Sequence, residues 1–285
     1  MTEKTTVNKP HLSPQDSYAS VFPAIDAFLF DTKAFIANQA FIRECIKTKN
    51  TSLKYQGKYA FIRVFHAQEI ISAVFSLFAA ISAGASLLYV CKKKPSFCKT
   101  YSRAVKFALG VHCATWVGSF VFHVRDCYCT QCIDYFGAIS SISSSVFLSC
   151  VRLSLLQRSA RYALPVLVGA HIYYMHWVNF NFGYNAAVCG GLFAVNLLLW
   201  CLWYGRVRSQ VHSRLLRLSI VGMCISALFQ LIDFGPVHFL LDSHAMWHVL
   251  GWLFSTSLYV SILTDTSAQR TSKTKGCACK ECLRR

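Results

Sequence analysis

Residues 69–91 read EIISAVFSLFAAISAGASLLYVC, and three lysines, Lys92, Lys93 and Lys94, follow at once. After its first residue the run contains no charged side chain, and it exceeds the roughly 20 apolar residues that a helix needs to cross a bilayer. A dense basic cluster directly after such a run is typical of a transmembrane helix that ends on the cytosolic side. This stretch therefore predicts an integral membrane protein.

The rest of the chain has the same character. Of its 285 residues, 54% are hydrophobic and only 14% are charged, and the mean hydropathy is +0.40, which is too apolar for an ordinary soluble domain. We therefore predict an all-α membrane protein, a seven-transmembrane helix bundle. The predicted spans are 69–91, 105–124, 134–152, 162–178, 185–204, 215–232 and 244–263.

The predicted organisation has three parts. A lumenal N-terminal segment covers residues 1–66, the seven-helix domain covers 67–264, and a cytosolic tail rich in cysteine and lysine covers 265–285. Within the first part, residues 21–46 are semi-apolar but interrupted by charges, which favours an amphipathic helix on the membrane surface over a span. The first residues, MTEKTTVNKP, lack the apolar core of a cleavable signal peptide.

Charges at the ends of the spans predict the orientation. The second connection holds one basic residue, Arg125, and the fourth and sixth hold none, whereas the first, third and fifth are basic. Their basic residues are Lys92, Lys93, Lys94, Lys99, Arg103 and Lys106, then Arg152, Arg158 and Arg161, then Arg206, Arg208, Arg214 and Arg217. This alternation predicts a lumenal N-terminus and a cytosolic C-terminus.

Acidic residues point to the same orientation. Those between residues 67 and 263 all fall at predicted lumenal helix ends or connections: Glu69, Asp126, Asp134, Asp233 and Asp242. Lys54, Lys58 and Arg63 precede the first span on the predicted lumenal side and run against the rule, but they are fewer than the cluster after that span. The net charge of +17 is largely explained by this topology. Contact with anionic membrane lipids is expected, and no nucleic-acid partner.

Five polar residues are predicted to meet at the lumenal membrane face. Ser119 and His123 are four residues apart at the end of the second span, Asp134 begins the third, and His244 and His248 are four residues apart at the start of the seventh. Residues at i and i+4 lie on one helix face. Ionisable groups in such segments are usually functional, although packing histidines or a proton pathway are alternatives.

The residue types favour zinc chemistry. Three neutral imidazoles with one open position are typical of a catalytic Zn²⁺ site, which indicates His123, His244 and His248 as metal ligands. Zinc lowers the pKa of its bound water toward neutrality. Asp134 is then a candidate general base and Ser119 a candidate donor to a developing oxyanion, although a buried serine can also hydrogen-bond its own helix.

Several motifs carry a family resemblance. They are GKYAF at 57–61, Gln68-Glu69, SFVFHVRD at 119–126, DYF at 134–136, FGYN at 182–185, DFGP at 233–236 and LDSHAMWH at 241–248. In these motifs, over about residues 45–265, the chain resembles the GPI-anchor lipid-remodelling phospholipases, within the CREST superfamily of membrane hydrolases. It departs from their pattern at Ile70, where proline is usual, at Asn181, where an acidic residue is usual, and in residues 1–66, which hold one cysteine.

The resemblance implies a function. It implies a seven-helix fold, Zn²⁺ at the three histidines with Asp134 and Ser119 assisting, and removal of the sn-2 acyl chain of GPI phosphatidylinositol in the endoplasmic reticulum or Golgi. The implied partners are GPI-anchored proteins and their lipid. Two alternatives are an alkaline-ceramidase-like amide hydrolase and a zinc-containing seven-helix receptor, although such receptors typically have the opposite orientation.

Cysteines and one sequon give further expectations. Cys127, Cys129 and Cys132 lie in a predicted lumenal connection, where a disulfide, with Cys45 as a possible partner, or free thiols are favoured over metal binding. In the tail, cysteines beside basic residues indicate palmitoylation or reactive thiols: Cys277, Cys279 and Cys282. Asn50-Thr-Ser is a glycosylation sequon.

Overall fold

The computed structural model describes residues 32–55, 58–65, 67–92, 99–155, 160–210 and 212–271. The helices in these ranges, which we number in chain order, are α1 Thr32–Thr48, α2 Ile70–Lys92, α3 Lys99–Val124, α4 Tyr128–Leu153, α5 Ala160–Tyr173, α6 Phe182–Val207, α7 Ser213–Leu231 and α8 Ser243–Thr271. A π-helical turn, Tyr174–Val178, continues α5, and strands β1 Lys54–Tyr55 and β2 Lys58–Tyr59 form an antiparallel hairpin. The tail cysteines lie outside the described residues.

Six helices are long and apolar enough to cross a membrane: α2, α3, α4, α6, α7 and residues Ser243–Ser267 of α8. They confirm the all-α membrane class and six of the seven predicted spans. The predicted span 162–178 differs, because α5 has only 14 residues, contains Pro165 and gives way to the π-helical turn. The seven-span count and the orientation of the termini therefore stay predictions.

The long helices pack side by side in a ring. Helix α3 lies between α2 and α4, α8 contacts both α2 and α7, and α6 contacts α4 and α7. The inward face of α2 carries small side chains, with Ser76, Ala79 and Ala83 each buried. Small residues let helix backbones approach closely in a membrane protein. Larger side chains fill the centre of the bundle, among them Leu109, Trp203 and Leu216.

One close contact between α7 and α8 yields a stability prediction. A Cβ at Gly222 would lie 2.1 Å from Phe254 Cδ1, whereas a Cβ at Gly191 on α6 meets no atom within 4 Å. Alanine is ordinarily favoured over glycine in a helix by about 1 kcal/mol. We expect Gly191→Ala to preserve or raise the melting temperature in detergent, and Gly222→Ala to lower it through overpacking of about 1–3 kcal/mol. Equal shifts for the two variants would show that this contact is not tight.

A buried ion pair holds the end of the bundle where α4 and α8 end. Arg152 of α4 donates from Nε to Asp265 Oδ2 at 2.7 Å and from Nη2 to Oδ1 at 2.9 Å. The Tyr101 hydroxyl of α3 donates to the same carboxylate at 2.8 Å. Asp265 is 1% exposed. It lies in α8, which runs unbroken across the predicted boundary between residues 264 and 265. This carboxylate therefore joins α3, α4 and α8, and it also lies 3.4 Å from Nε2 of His212, directly before α7.

Candidate metal centre

The predicted site residues lie at the opposite end of the bundle, where α3 ends and α2, α4 and α8 begin. The backbone ties two of these ends together, because Glu69 N donates to His123 O at 3.0 Å and Gln68 N donates to Val124 O at 3.2 Å. The start of α8 is fixed by Asp242, whose carboxylate accepts from Ala245 N at 2.7 Å as a helix N-cap. Burial raises the pKa of Asp242 to about 6, although the Ala245 N–H opposes the shift.

Three histidines converge at this end, where the predicted topology placed them. His123 from α3 and His244 and His248 from α8 offer nitrogens that all lie within 4.8 Å of one another. The imidazole ring centroids are 4.5 to 5.3 Å apart, and Nε2 of His244 is 3.1 Å from Nε2 of His248. His123 and His248 are buried, and His244 is half-buried. The arrangement is compact enough for one ion to contact all three rings.

Each histidine is held through its other nitrogen. His123 Nδ1 is 2.7 Å from Glu69 Oε2, His248 Nδ1 is 3.0 Å from Ser76 Oγ, and His244 Nδ1 is 3.2 Å from Gln230 Oε1. A carboxylate can only accept a hydrogen bond, so the proton of neutral His123 resides on Nδ1. This leaves a lone pair on Nε2, the ring nitrogen that does not contact Glu69.

The Nε2 atom of His123 bears on whether the cluster can bind a metal ion. It is buried and makes no hydrogen bond to any described residue. Buried polar atoms are nearly always satisfied in native proteins. Metal-bound histidines almost always donate their second N–H to a carboxylate, carbonyl or water, as Nδ1 does here toward Glu69. The donor set and its orientation therefore fit a Zn²⁺ ion bound through three Nε2 atoms.

Ser119 and Asp134 lie beside the histidines. Ser119 is 2% exposed and lies one turn before His123 on α3. Asp134, near the start of α4, is half-buried; its carboxylate interacts with the Ser119 side chain and electrostatically with His123. All five predicted residues are thus near one another. Their roles in binding or catalysis remain proposals.

Glu69 contacts the histidine cluster, and the sequence assigned it no role there. Burial raises the pKa of its carboxyl, but the electrostatic interaction and hydrogen bond with His123, together with the charge of Lys58, outweigh burial and lower the pKa to about 2. Glu69 is therefore ionised across the physiological pH range. Ser76 and Gln230 were also missed. In the sequence, Glu69 is an acidic residue at the start of the first span and Ser76 is a serine inside it. Neither feature indicates which histidine the side chain contacts.

Removing the charge of Glu69 gives a second prediction. We expect Glu69→Gln to weaken zinc binding about 10- to 100-fold, the effect typical of losing an outer-shell partner, because a neutral amide is a poorer acceptor for His123 Nδ1–H. Competition of the purified protein against a chelating dye measures the affinity. Glu44→Gln, at an exposed carboxylate on α1, is the matched control. Equal zinc affinity in wild type and Glu69→Gln would contradict this role.

Other histidines have ordinary packing contacts. His112 Nε2 lies 3.2 Å from Ser141 O, and His171 Nε2 lies 3.0 Å from Asn185 Oδ1. His176 packs against the ring of Tyr128. Among the described residues, the one group of histidines, cysteines or acids compact enough for a metal is the His123, His244 and His248 cluster.

The described cysteines are free thiols. Cys127 and Cys129 are partly or fully exposed, and Cys132 is buried. Cys45 is buried against Ala60 and Phe239. The sequence favoured either a disulfide or free thiols at Cys127, Cys129 and Cys132. In the part of the chain that the structure describes, all three are free thiols. The three thiols form no metal cluster in this part of the chain.

Comparison with known proteins identifies the family. The Per1-like family matches residues 34–266. A bovine protein named GPI-specific phospholipase A2-like PGAP3 is 36% identical over 225 residues, which cover 75% of this chain and 68% of the relative. The mouse protein of that name is 35% identical, covering 69% of this chain and 63% of the relative. The PER1 homolog of Schizosaccharomyces pombe is 28% identical, covering 78% and 70%. The chain thus spans about two thirds of the length of these relatives, and it belongs to the Per1-like family.

Proposed function

We propose that this protein is a zinc-dependent membrane hydrolase that removes the sn-2 acyl chain of GPI phosphatidylinositol during remodelling of GPI anchors. The observation that carries the proposal is the set of three Nε2 atoms, each on a ring whose Nδ1 already has a partner. The names of the relatives, GPI-specific phospholipase A2-like PGAP3, support the lipid class. Their family membership supports a role in the secretory pathway, in the endoplasmic reticulum or Golgi.

The proposed topology has seven helices, with α5 and the π-helical turn as the seventh crossing. Under it, the candidate site faces the lumen and the C-terminus is cytosolic. A site at helix ends suits the substrate, because the sn-2 ester of a phospholipid lies close to the bilayer interface. The substrate partners are GPI-anchored proteins and their lipid, within a membrane of other lipids.

The proposed mechanism assigns a role to each residue. When bound to His123, His244 and His248, Zn²⁺ supplies an activated water at neutral pH. Asp134, a half-buried carboxylate beside His123, accepts a proton during attack on the ester carbonyl and returns it to the leaving lysolipid alkoxide. Ser119, buried next to Asp134, donates a hydrogen bond to the developing oxyanion. Glu69 keeps His123 in the Nδ1–H tautomer.

Lipid mass spectrometry of GPI-anchored proteins from cells lacking this protein tests the proposal. We expect the original sn-2 chain to persist, wild type to restore its removal, and His248→Ala to fail. His238→Asn, at an exposed histidine outside the cluster with φ of 52°, is the rescue control, since asparagine tolerates that conformation. An sn-2 chain composition identical in cells with and without this protein would refute the proposal. Accumulated ceramide would favour the amide hydrolase instead.

A further inference from the structure

The β1–β2 hairpin is fastened to the connection between α7 and α8. Lys54 Nζ donates to Asp233 Oδ2 at 2.6 Å, and the Tyr59 hydroxyl donates to Asp233 Oδ1 at 2.9 Å. Farther along, Ile62 N donates to Phe239 O at 2.9 Å. These contacts fix the hairpin at the same end of the bundle as the three histidines.

On its other side, the hairpin extends Lys58 toward the candidate metal centre. Lys58 forms an ion pair with Asp126, in the connection between α3 and α4. Its Nζ lies 4.7 Å from the ring centroid of Phe122, which is itself 5.0 Å from the ring centroid of His123. These two distances place the ammonium group within about 10 Å of the His123 ring.

The charge of Lys58 acts on the side chains of the site. Lys58 interacts with Glu69 and Asp134, and its charge also acts on His244. Burial lowers the pKa of the Lys58 amine, and the negative charges of Glu69 and Asp134 oppose that shift. Nevertheless, 40% of the Lys58 side chain and 22% of the Asp126 side chain are exposed. A partly exposed ion pair contributes little to stability, so Lys58 can exchange Asp126 for another anion at small cost.

We infer that Lys58 is a positioning residue that pairs with the phosphodiester of the lipid substrate and thereby places the sn-2 ester at the three histidines. The inference rests on the proposed function and deepens it. In a glycerophospholipid five bonds separate the phosphorus from the sn-2 carbonyl carbon, about 6 Å when extended. That spacing fits a cation within about 10 Å of the His123 ring. Lysine binds phosphate as a compact charge without demanding one geometry.

A purely structural role makes a different prediction. If the Lys58–Asp126 pair only locks the hairpin in place, then breaking it from either side has the same consequence, and the phosphate of the substrate is irrelevant. If Lys58 binds the phosphodiester, removing Asp126 leaves the cation available. The Asp126→Asn variant and a lipid without phosphate therefore distinguish the structural role of Lys58 from the phosphate-binding role.

The experiment measures kcat and KM for Lys58→Met, Lys58→Arg and Asp126→Asn in mixed micelles. The substrates are a purified GPI-anchored protein and a diacylglycerol with the same acyl chains. For the GPI substrate we expect Lys58→Met to raise KM about 10- to 100-fold, the equivalent of one charge-assisted hydrogen bond, with kcat changed less than about threefold. Lys58→Arg should retain most of the affinity for the GPI substrate. Asp126→Asn should either leave the KM for that substrate unchanged or lower it.

The neutral lipid isolates the contribution of the phosphate. We expect Lys58→Met to raise the KM for the GPI substrate at least about tenfold more than the KM for diacylglycerol. Equal losses on both lipids, or an Asp126→Asn variant that behaves like Lys58→Met on the GPI substrate, would overturn the inference. If wild type does not cleave diacylglycerol, the Asp126→Asn and Lys58→Arg results on the GPI substrate decide. A wild-type protein that cleaves neither lipid refutes the hydrolase proposal itself, whereas full activity of Lys58→Met refutes only the role of Lys58.

Discussion

The His248→Ala variant is expected to lose bound zinc and to have no measurable ester hydrolysis. His248 is 3% exposed, it lies at the centre of the cluster with ring distances of 4.5 Å to His123 and 4.8 Å to His244, and its Nδ1 faces Ser76. Two imidazoles alone do not form a closed coordination set for zinc. The loss of affinity should therefore exceed the roughly 10- to 100-fold expected for an outer-shell change such as Glu69→Gln.

Metal analysis of the purified protein, together with fatty-acid release, measures this result. The His238→Asn variant is the control for loss of a histidine outside the cluster. Retained helix content and an unchanged elution volume in detergent show that the His248→Ala protein is folded. Stoichiometric zinc in a folded His248→Ala protein would contradict the assignment of this residue as a ligand. Stoichiometric zinc with full activity would contradict zinc catalysis at this cluster altogether.

The Asp265→Ala variant is expected to destabilise the fold most. The carboxylate accepts two hydrogen bonds from Arg152 and one from Tyr101 while being 1% exposed. Removing one partner of a buried ion pair leaves the other charge uncompensated and typically costs about 3–5 kcal/mol. Because the pair joins α3, α4 and α8, we expect a large fall in the melting temperature measured in detergent.

Two further variants separate the charge from the packing. Replacing Arg152 by methionine in the Asp265→Ala background should recover part of the lost stability, since the charge of Arg152 is then removed as well. Asp233→Asn breaks the exposed Lys54–Asp233 pair, in which the Asp233 side chain is 64% exposed, and should change stability by about 1 kcal/mol or less. Equal effects of Asp265→Ala and Asp233→Asn would show that the buried pair is not a structural clamp.

The sequence alone predicted the properties that are determined within a single segment. Apolar runs of sufficient length predicted six spans, each end within about six residues of the candidate span, because the length of a transmembrane helix is set by the thickness of the bilayer. Spacing of four residues placed His244 and His248 on one face of α8. The alternation of basic connections placed His123 at the same end of the bundle.

Properties that depend on packing between helices could not be predicted. The contact of Ser76 with His248 joins α2 to α8, and that of Gln230 with His244 joins α7 to α8. No sequence spacing specifies which helices are neighbours. The span 162–178 was predicted from apolar content, which does not register where a helix changes from α to π geometry. Strands of two residues, as in the hairpin that carries Lys58, are too short for a pattern of alternation.

The most direct test of the central claim follows each acyl chain of the substrate separately. Purified protein loaded with Zn²⁺ is incubated with a GPI-anchored protein whose sn-1 and sn-2 chains carry different isotopes, and the released fatty acid is identified by mass spectrometry. We expect release of the sn-2 chain alone, its loss when zinc is removed by a chelator, and its recovery when zinc is restored. Release of the sn-1 chain, or equal sn-2 release by the zinc-free protein, would contradict a zinc-dependent sn-2 hydrolase.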